Sequence, residues 1–284
     1  MNSAPAQIYK VVPEKLLAKV LAHRNRAGLD PFLCAYQQLF DKYHIPRRGV
    51  IHLGGHIGQE LPLYAALSFH RIVMVEPLHA EYERLSKAVA SLNQSLAQLS
   101  GLIGDPPARA YAIRCAVTDR TGAAQMYRTQ LTSLSALSRP VPQQFETQWR
   151  ESLRQLPWRQ RLLGWWKTRN AVRFDTIEVP CRTLDDLSAE LPADVPAALF
   201  TYLRMNIQGS ELNALRGGEK LLESLRMIDL EINLGARYEG APQQRDIDEF
   251  LRARGFDCVL GYRVGLVGNL IYVRAAEARG GSEE

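Results

Sequence analysis

The sequence predicts a Rossmann-like α/β fold: a mainly parallel seven-stranded sheet, helices on both faces, and an antiparallel hairpin that closes the sheet. Three observations carry this expectation. From Gly49 onward, short apolar segments alternate with stretches of helical periodicity. The first apolar segment runs directly into a glycine turn, Gly54, Gly55 and Gly58, that opens a helix. The last two apolar segments, 256–261 and 267–274, have no helical stretch between them and therefore pair as a hairpin.

Taken in order, residues 1–46 read as a helical extension. Pro13 opens a helix over 13–25 with Leu16, Leu17, Val20 and Leu21 on one face. Asp30 and Pro31 supply an N-cap and a first-turn proline for a second helix, whose Phe32, Leu33, Tyr36, Leu39, Phe40 and Tyr43 keep helical spacing. This part either packs on the core or mediates pairing with another subunit as a homodimer. The α/β domain spans 47–274. Its strands are expected at 49–53, 71–75, 111–117, near 177–180, at 198–206 and at 227–233, with an edge strand at 123–128. Its helices are expected over 58–69, from 80 to about 99, and over 183–190, 210–222 and 243–254. An insert occupies about 140–172, and 275–284 form a flexible tail.

Of the 284 residues, 46% are hydrophobic and 23% charged, which suits one sizeable core. No stretch approaches the roughly 20 apolar residues of a membrane span, and the segment MNSAPAQIYK lacks the pattern of a secretory signal. Cys34, Cys115, Cys181 and Cys258 are scattered without a C-x-x-C pair, which argues against a zinc ribbon or a dense disulfide framework. A reducing cytoplasm is the expected location. The net charge of +5 is local. Arg150, Arg154, Arg159, Arg161, Lys167 and Arg169 face a single acid, Glu151, within 149–169, and the rest of the chain is neutral. A nucleic-acid partner is therefore not expected. The same segment holds Trp149, Trp158, Trp165 and Trp166 on two helical stripes broken by Pro157. Three readings of it stand open: a helical cap, a lid or acceptor contact, and a peripheral contact with an anionic membrane surface.

The glycine turn has a partner. Glu76 ends the second strand, 22 residues after Gly54, where a carboxylate accepts hydrogen bonds from the two ribose hydroxyls of an adenosine ligand. The turn is G-G-x-x-G rather than G-x-G-x-x-G, which favours S-adenosylmethionine over a dinucleotide pyrophosphate. His52 and His56 have the H-x-x-x-H spacing, but the glycines between them disfavour a helix, and no metal site is expected.

With these residues assembled, the sequence resembles the FkbM-type methyltransferase family. The resemblance runs through GVIHLGGHIGQELPLY, RIVMVEPLHAEYERL, CAVTDRTG and TSLSAL. It is most specific at LRMNIQGSELNALRGGEKLL, followed by IDLEIN and DIDEFLRARGFDCV, and covers about 49–274 apart from the insert. It implies the class I methyltransferase sheet, S-adenosylmethionine as methyl donor, and a hydroxyl acceptor on a sugar, glycan or natural product. Gly54, Gly55, His56, Gly58 and Gln59 fall on the family's cofactor loop, Glu76 with Pro77 on its ribose-binding acid, and Ala116, Val117 and Asp119 near the adenine. Asn206, Gln208, Gly209 and Glu211 fall on a D-x-Q-G-x-E segment at the reaction site, and Glu231 on the acid of the next strand.

Two positions depart from the family pattern. His52 stands where the first strand usually carries an acid that partners the cofactor's ammonium, and Asn206 replaces the acid of D-x-Q-G. An amide positions a hydroxyl but does not take its proton. Glu231, Glu211 and His56 remain as general bases, with Glu231 first because it ends a strand where open α/β sheets place their chemistry; the structural alternative is that Glu211 caps its helix and Glu231 supports its neighbours. The competing readings are a catalytically silent adenosylmethionine-binding or scaffold protein, and a nucleotide-sugar or nicotinamide enzyme on a similar sheet.

Overall fold

The computed structural model describes residues 10–11, 31–103, 108–153, 173–189, 191–233, 237–264 and 267–280. The helix expected over 13–25, residues 154–172 of the insert and the end of the tail lie outside this set. A two-residue strand, β1 (Lys10–Val11), precedes helix α1 (Pro31–Lys42). The α/β alternation then runs β2 (Gly49–Leu53), α2 (Leu61–Ala66), β3 (Arg71–Val75), α3 (His79–Ile103) and β4 (Arg109–Ile113). Next come β5 (Ala116–Val117), β6 (Gly122–Thr129), α4 (Pro142–Leu153), β7 (Phe174–Arg182) and α5 (Leu184–Ala189). The chain continues with β8 (Phe200–Met205), α6 (Glu211–Arg216), α7 (Glu219–Ser224), β9 (Met227–Asn233), α8 (Gln244–Arg252), β10 (Phe256–Val264), β11 (Val267–Arg274) and α9 (Ala275–Gly280).

The main sheet has the order β1-β10-β11-β9-β8-β2-β3-β4. Its seven principal strands form the expected sheet. β11 runs antiparallel to both neighbours, and the other pairings are parallel. β1 adds two residues alongside β10. A second sheet, β5-β7-β6, leans on the end of the first. This divides the strand expected over 111–117: β4 stops at Ile113, whose carbonyl accepts the Glu76 N–H at 3.0 Å, and Ala116–Val117 pairs with β7 instead. Both pieces are apolar, so the hydrophobic run conceals the change of sheet.

Two expected helices are shorter or divided, each for a backbone reason. Gly58 has φ +84°, which a right-handed helix does not accommodate, so α2 begins only at Leu61. The helix expected over 210–222 splits at Gly217–Gly218. A Cβ on Gly217 would lie 2.4 Å from the Thr118 carbonyl oxygen, so the close contact there requires glycine.

The sheet is buried on both faces. On one face Leu53, Val75, Leu203, Met205, Leu230 and Ile232 pack against α5, α6, α7 and α8. On the other, Val50, Ile72, Met74 and Tyr202 meet Phe40 of α1, Tyr64 of α2 and Leu85 of α3. The second face contains a buried polar cluster. Arg204 Nη1 lies 2.6 Å from Asp229 Oδ2, with Asp229 1% exposed. The Tyr202 hydroxyl donates to the same carboxylate at 3.1 Å, and the Tyr36 hydroxyl joins from α1. This is how the extension grips the sheet. Among the described residues no helix is long and apolar enough to cross a membrane.

Removing one partner of a buried ion pair leaves the other charge desolvated and alone. Asp229→Ala is therefore expected to lower unfolding free energy by roughly 3–5 kcal/mol in urea titrations. Glu249→Ala breaks a pair whose side chains are 83% and 63% exposed; it should change stability by about 0.5 kcal/mol or less.

Candidate active site

β2 ends at Leu53 and the chain turns at once. The N–H groups of Gly54 and Gly55 both donate to the Val75 carbonyl, at 3.0 and 2.9 Å. Gly54 has φ +82°, and a Cβ there would sit 2.1 Å from the carbonyl oxygen of Asn206, the residue after β8. β2 and β8 are the neighbours between which the strand order reverses. Their chains leave the sheet toward opposite faces, and a crevice opens above the strand ends.

The loop then bends through His56 at φ +45° and Gly58. This brings the His56 N–H to 2.9 Å from Glu76 Oε2, while Glu76 Oε1 accepts the Leu78 N–H at 2.9 Å. Each carboxylate oxygen keeps a further lone pair for a ligand. Glu76 is 5% exposed. Burial raises its pKa to about 7, against the lowering effect of the two backbone bonds.

A cavity that opens partly to solvent occupies the crevice. Gly54, His56, Gln59 and Glu60 form one wall, and Glu76, Pro77, Cys115, Ala116 and Val117 the back. Asn206, Ile207, Gln208 and Ser210 form the floor. The opposite wall comes from Thr132, Ser133, Ser135, Ala136 and Leu137, with Met126 beside it. His56 Nε2 and Thr132 Oγ1, 2.9 Å apart, join the two walls.

The floor carries a chain of polar contacts. Gln208 Nε2 donates to Asn206 Oδ1 at 2.7 Å and lies 3.4 Å from Glu231 Oε1. The Tyr238 hydroxyl lies 3.1 Å from Gln208 Oε1 and 2.9 Å from the Leu134 carbonyl oxygen. Burial raises the Glu231 pKa, while Gln208 and Arg204 act to lower it.

The sequence-derived residues thus divide by position. Gly54, His56, Gln59, Glu76, Pro77, Ala116, Val117 and Asn206 share the cavity. Gly55 and Gly58 lie beneath it, packed against Met74 and Leu85. Asp119 lies in an adjoining polar depression with Thr118 and Arg120. His52 does not reach the cavity. Successive strand residues point to opposite faces, and Leu53 takes the cavity side. His52 is 1% exposed, with Nδ1 3.0 Å from the Tyr64 hydroxyl. Burial, then the Arg204 charge, holds its pKa well below the ordinary value, so the ring is neutral. Neither Glu211 nor Glu231 lines the cavity. Glu211 accepts the Gly209 N–H at 3.2 Å at the start of α6, and burial raises its pKa to about 7. Glu231 stands behind Gln208.

The wall from Thr132 to Leu137 has no periodic signature, and its TSLSAL stretch carried no assigned role in the sequence. Tyr238 was missed too, because no motif marks it. Among the described residues no three His, Cys, Asp or Glu side chains gather into a metal-binding group.

Residues 52–258 match the Methyltransferase FkbM domain. No curated protein matches the chain significantly. Among solved structures, the METTL16 MTase domain is 11% identical with a TM-score of 0.43, covering 84% of this chain and 65% of that one. The magnesium protoporphyrin IX methyltransferase of Synechocystis PCC 6803 is 10% identical with a TM-score of 0.39, covering 96% of this chain and 86% of that one. A SAM-dependent methyltransferase from Aquifex aeolicus is 7% identical with a TM-score of 0.37, covering 84% and 88%.

The glycine requirement can be tested against an internal control. Gly240 also has positive φ, +67°, but a Cβ there meets nothing within 4 Å. Gly240→Ala should lower the melting temperature by about 2–4 °C from backbone strain alone. Gly54→Ala should lower it by more than about twice that amount and abolish adenosine binding in a calorimetric titration.

Proposed function

The chain belongs to the FkbM family of S-adenosylmethionine-dependent methyltransferases, and on that premise we propose that it methylates a hydroxyl of a sugar, glycan or natural-product acceptor. The observation that carries this reading is the contrast between the two ends of one cavity. The Glu76 end is shaped for a nucleoside: a buried carboxylate with lone pairs to spare, beside the apolar Cys115, Val117 and Met126. The other end is lined by the neutral amides of Asn206 and Gln208, with Glu231 behind them. Neutral amides suit a neutral hydroxyl, and a carboxyl of raised pKa suits its proton.

The residues fit the cofactor by their own geometry. Gly54 lets the turn pack directly on the Asn206 carbonyl at the cavity edge, and Glu76 faces the cavity with both oxygens fixed by backbone N–H groups. When bound, S-adenosylmethionine supplies a methyl carbon open to in-line displacement from sulfonium sulfur. Glu76 accepts the ribose hydroxyls, while Cys115, Ala116 and Val117 flank the base. Asn206 and Gln208 orient the acceptor hydroxyl, and the Thr132–Leu137 wall excludes water. Glu231 accepts the hydroxyl proton. It stands one side chain back, and acceptor binding draws it into contact; unliganded sites commonly hold catalytic groups at such longer distances. Glu211, turned toward its own backbone, supports the floor.

Hydrogen bonding from ribose requires the ionised form of Glu76. With its pKa near 7, S-adenosylmethionine affinity should rise roughly tenfold between pH 6 and 8, and Glu76→Gln should lose that slope in the same titrations. Glu231→Gln should bind S-adenosylmethionine normally yet slow methyl transfer by about 10²–10⁴-fold. Full activity of that variant would remove Glu231 from the chemistry. Binding without turnover on any acceptor would favour the scaffold reading, which gains from the absence of a carboxylate at position 206.

A further inference from the structure

Arg204 and Arg237 are both largely shielded from solvent, and they are treated differently by their surroundings. Arg204 is matched by Asp229. Arg237 is 4% exposed, and no carboxylate among the described residues forms an ion pair with it. Its Nη2 donates to the side-chain oxygen of Asn233, and its guanidinium lies 5.4 Å from the centre of the Phe145 ring. Its Nε is buried without a hydrogen-bond partner. The Glu231 carboxylate attracts the guanidinium through space, yet burial still lowers its pKa, so its charge is compensated less fully than that of Arg204.

The surroundings are built rather than incidental. The Val141 N–H donates to the Arg237 carbonyl at 2.8 Å, the Glu239 N–H donates to the Arg139 carbonyl at 2.9 Å, and Pro140 bridges Tyr238. These contacts fix the Arg237 backbone at the C-terminal end of β9, on the face that carries Glu231 and Asn233. Asn269, 7% exposed, lies directly across the strand pair from Glu231. Arg237 does not line the cavity itself; its neighbour Tyr238 meets Gln208 of the cavity floor at 3.1 Å.

We propose that Arg237, with Asn233 and Asn269, binds a carboxylate carried by the methyl acceptor, so that the substrate is a hydroxy acid of the uronic-acid type. This rests on the methyltransferase reading above and specifies its substrate class. A carboxylate matches the planar donor edge of the guanidinium. A phosphate would bring a second negative charge beside Glu231. The anchored carboxylate leaves a ring hydroxyl of the same molecule to meet Gln208 and Glu231.

The test is calorimetric titration of D-glucuronate, D-glucose and glucose 1-phosphate into the full chain, with and without S-adenosylhomocysteine. Glucuronate is expected to bind about tenfold more tightly than glucose, and more tightly than the phosphate. Arg237→Gln should erase that preference, Arg237→Lys should retain part of it, and S-adenosylhomocysteine affinity should stay within about twofold in both. Equal binding of glucuronate and glucose, or preference for glucose 1-phosphate, overturns the proposal. So does loss of S-adenosylhomocysteine affinity in Arg237→Gln, which would assign the guanidinium to the cofactor's own carboxylate. If Arg237→Gln does not fold, the wild-type comparison decides. Failure of the methyltransferase reading shows separately, as wild-type protein that does not bind S-adenosylhomocysteine.

Discussion

The close approach of Gly54 to the Asn206 carbonyl governs the rest of the site. β2 and β8 stay packed backbone to backbone up to this point because position 54 carries no side chain, and the crevice opens beyond it. The same turn places the Gly54 and Gly55 N–H groups on Val75 and carries the His56 N–H to Glu76. A side chain at 54 would push Asn206, and with it Gln208 and the link to Glu231. The glycine turn and the cavity floor are therefore a single rigid unit, not two features that happen to be adjacent. Such rigidity suits a displacement that depends on alignment, where a small misplacement is costly.

Beneath this unit the two sheet faces do different work. The α5–α8 face is packed with aliphatic side chains. The α1 face carries a polar file: His52 with Tyr64, then Arg204, Asp229, Tyr36 and Tyr202, and finally Glu231 and Asn233 nearer the strand ends. Each Arg204 or Asp229 charge is met by the other, which makes the pairing a specific lock between α1 and the sheet rather than a general source of adhesion. Arg204 also reaches electrostatically in two directions. It helps keep His52 neutral and acts to lower the pKa of Glu231, so the lock and the carboxyl behind the cavity floor share one field.

Much of this was legible in the sequence, for stated reasons. The alternation of apolar runs and helical stretches fixed the layer architecture, and the Gly54 turn with Glu76 located the crevice because few residues tolerate positive φ or a carboxylate at a strand end. What stayed hidden was which way side chains face. All five residues of β2 are buried, so the usual in–out alternation is invisible, and His52 could not be assigned to the face opposite the cavity. The change of sheet after Ile113 was masked in the same way. Arg237 and Tyr238 were hidden for another reason: their surroundings come from segments nearly a hundred residues away, Leu134 to Phe145, and no local pattern encodes such a meeting.

The Tyr238 hydroxyl has one proton and two acceptors within reach, the Leu134 carbonyl in the wall and Gln208 in the floor. It cannot donate to both at once. Whatever draws the proton toward the wall releases the Gln208 carbonyl oxygen, and whatever draws it toward the floor loosens the wall. The two halves of the cavity thus compete for a single hydrogen atom, and a ligand that satisfies one of them changes the hold on the other without displacing any backbone.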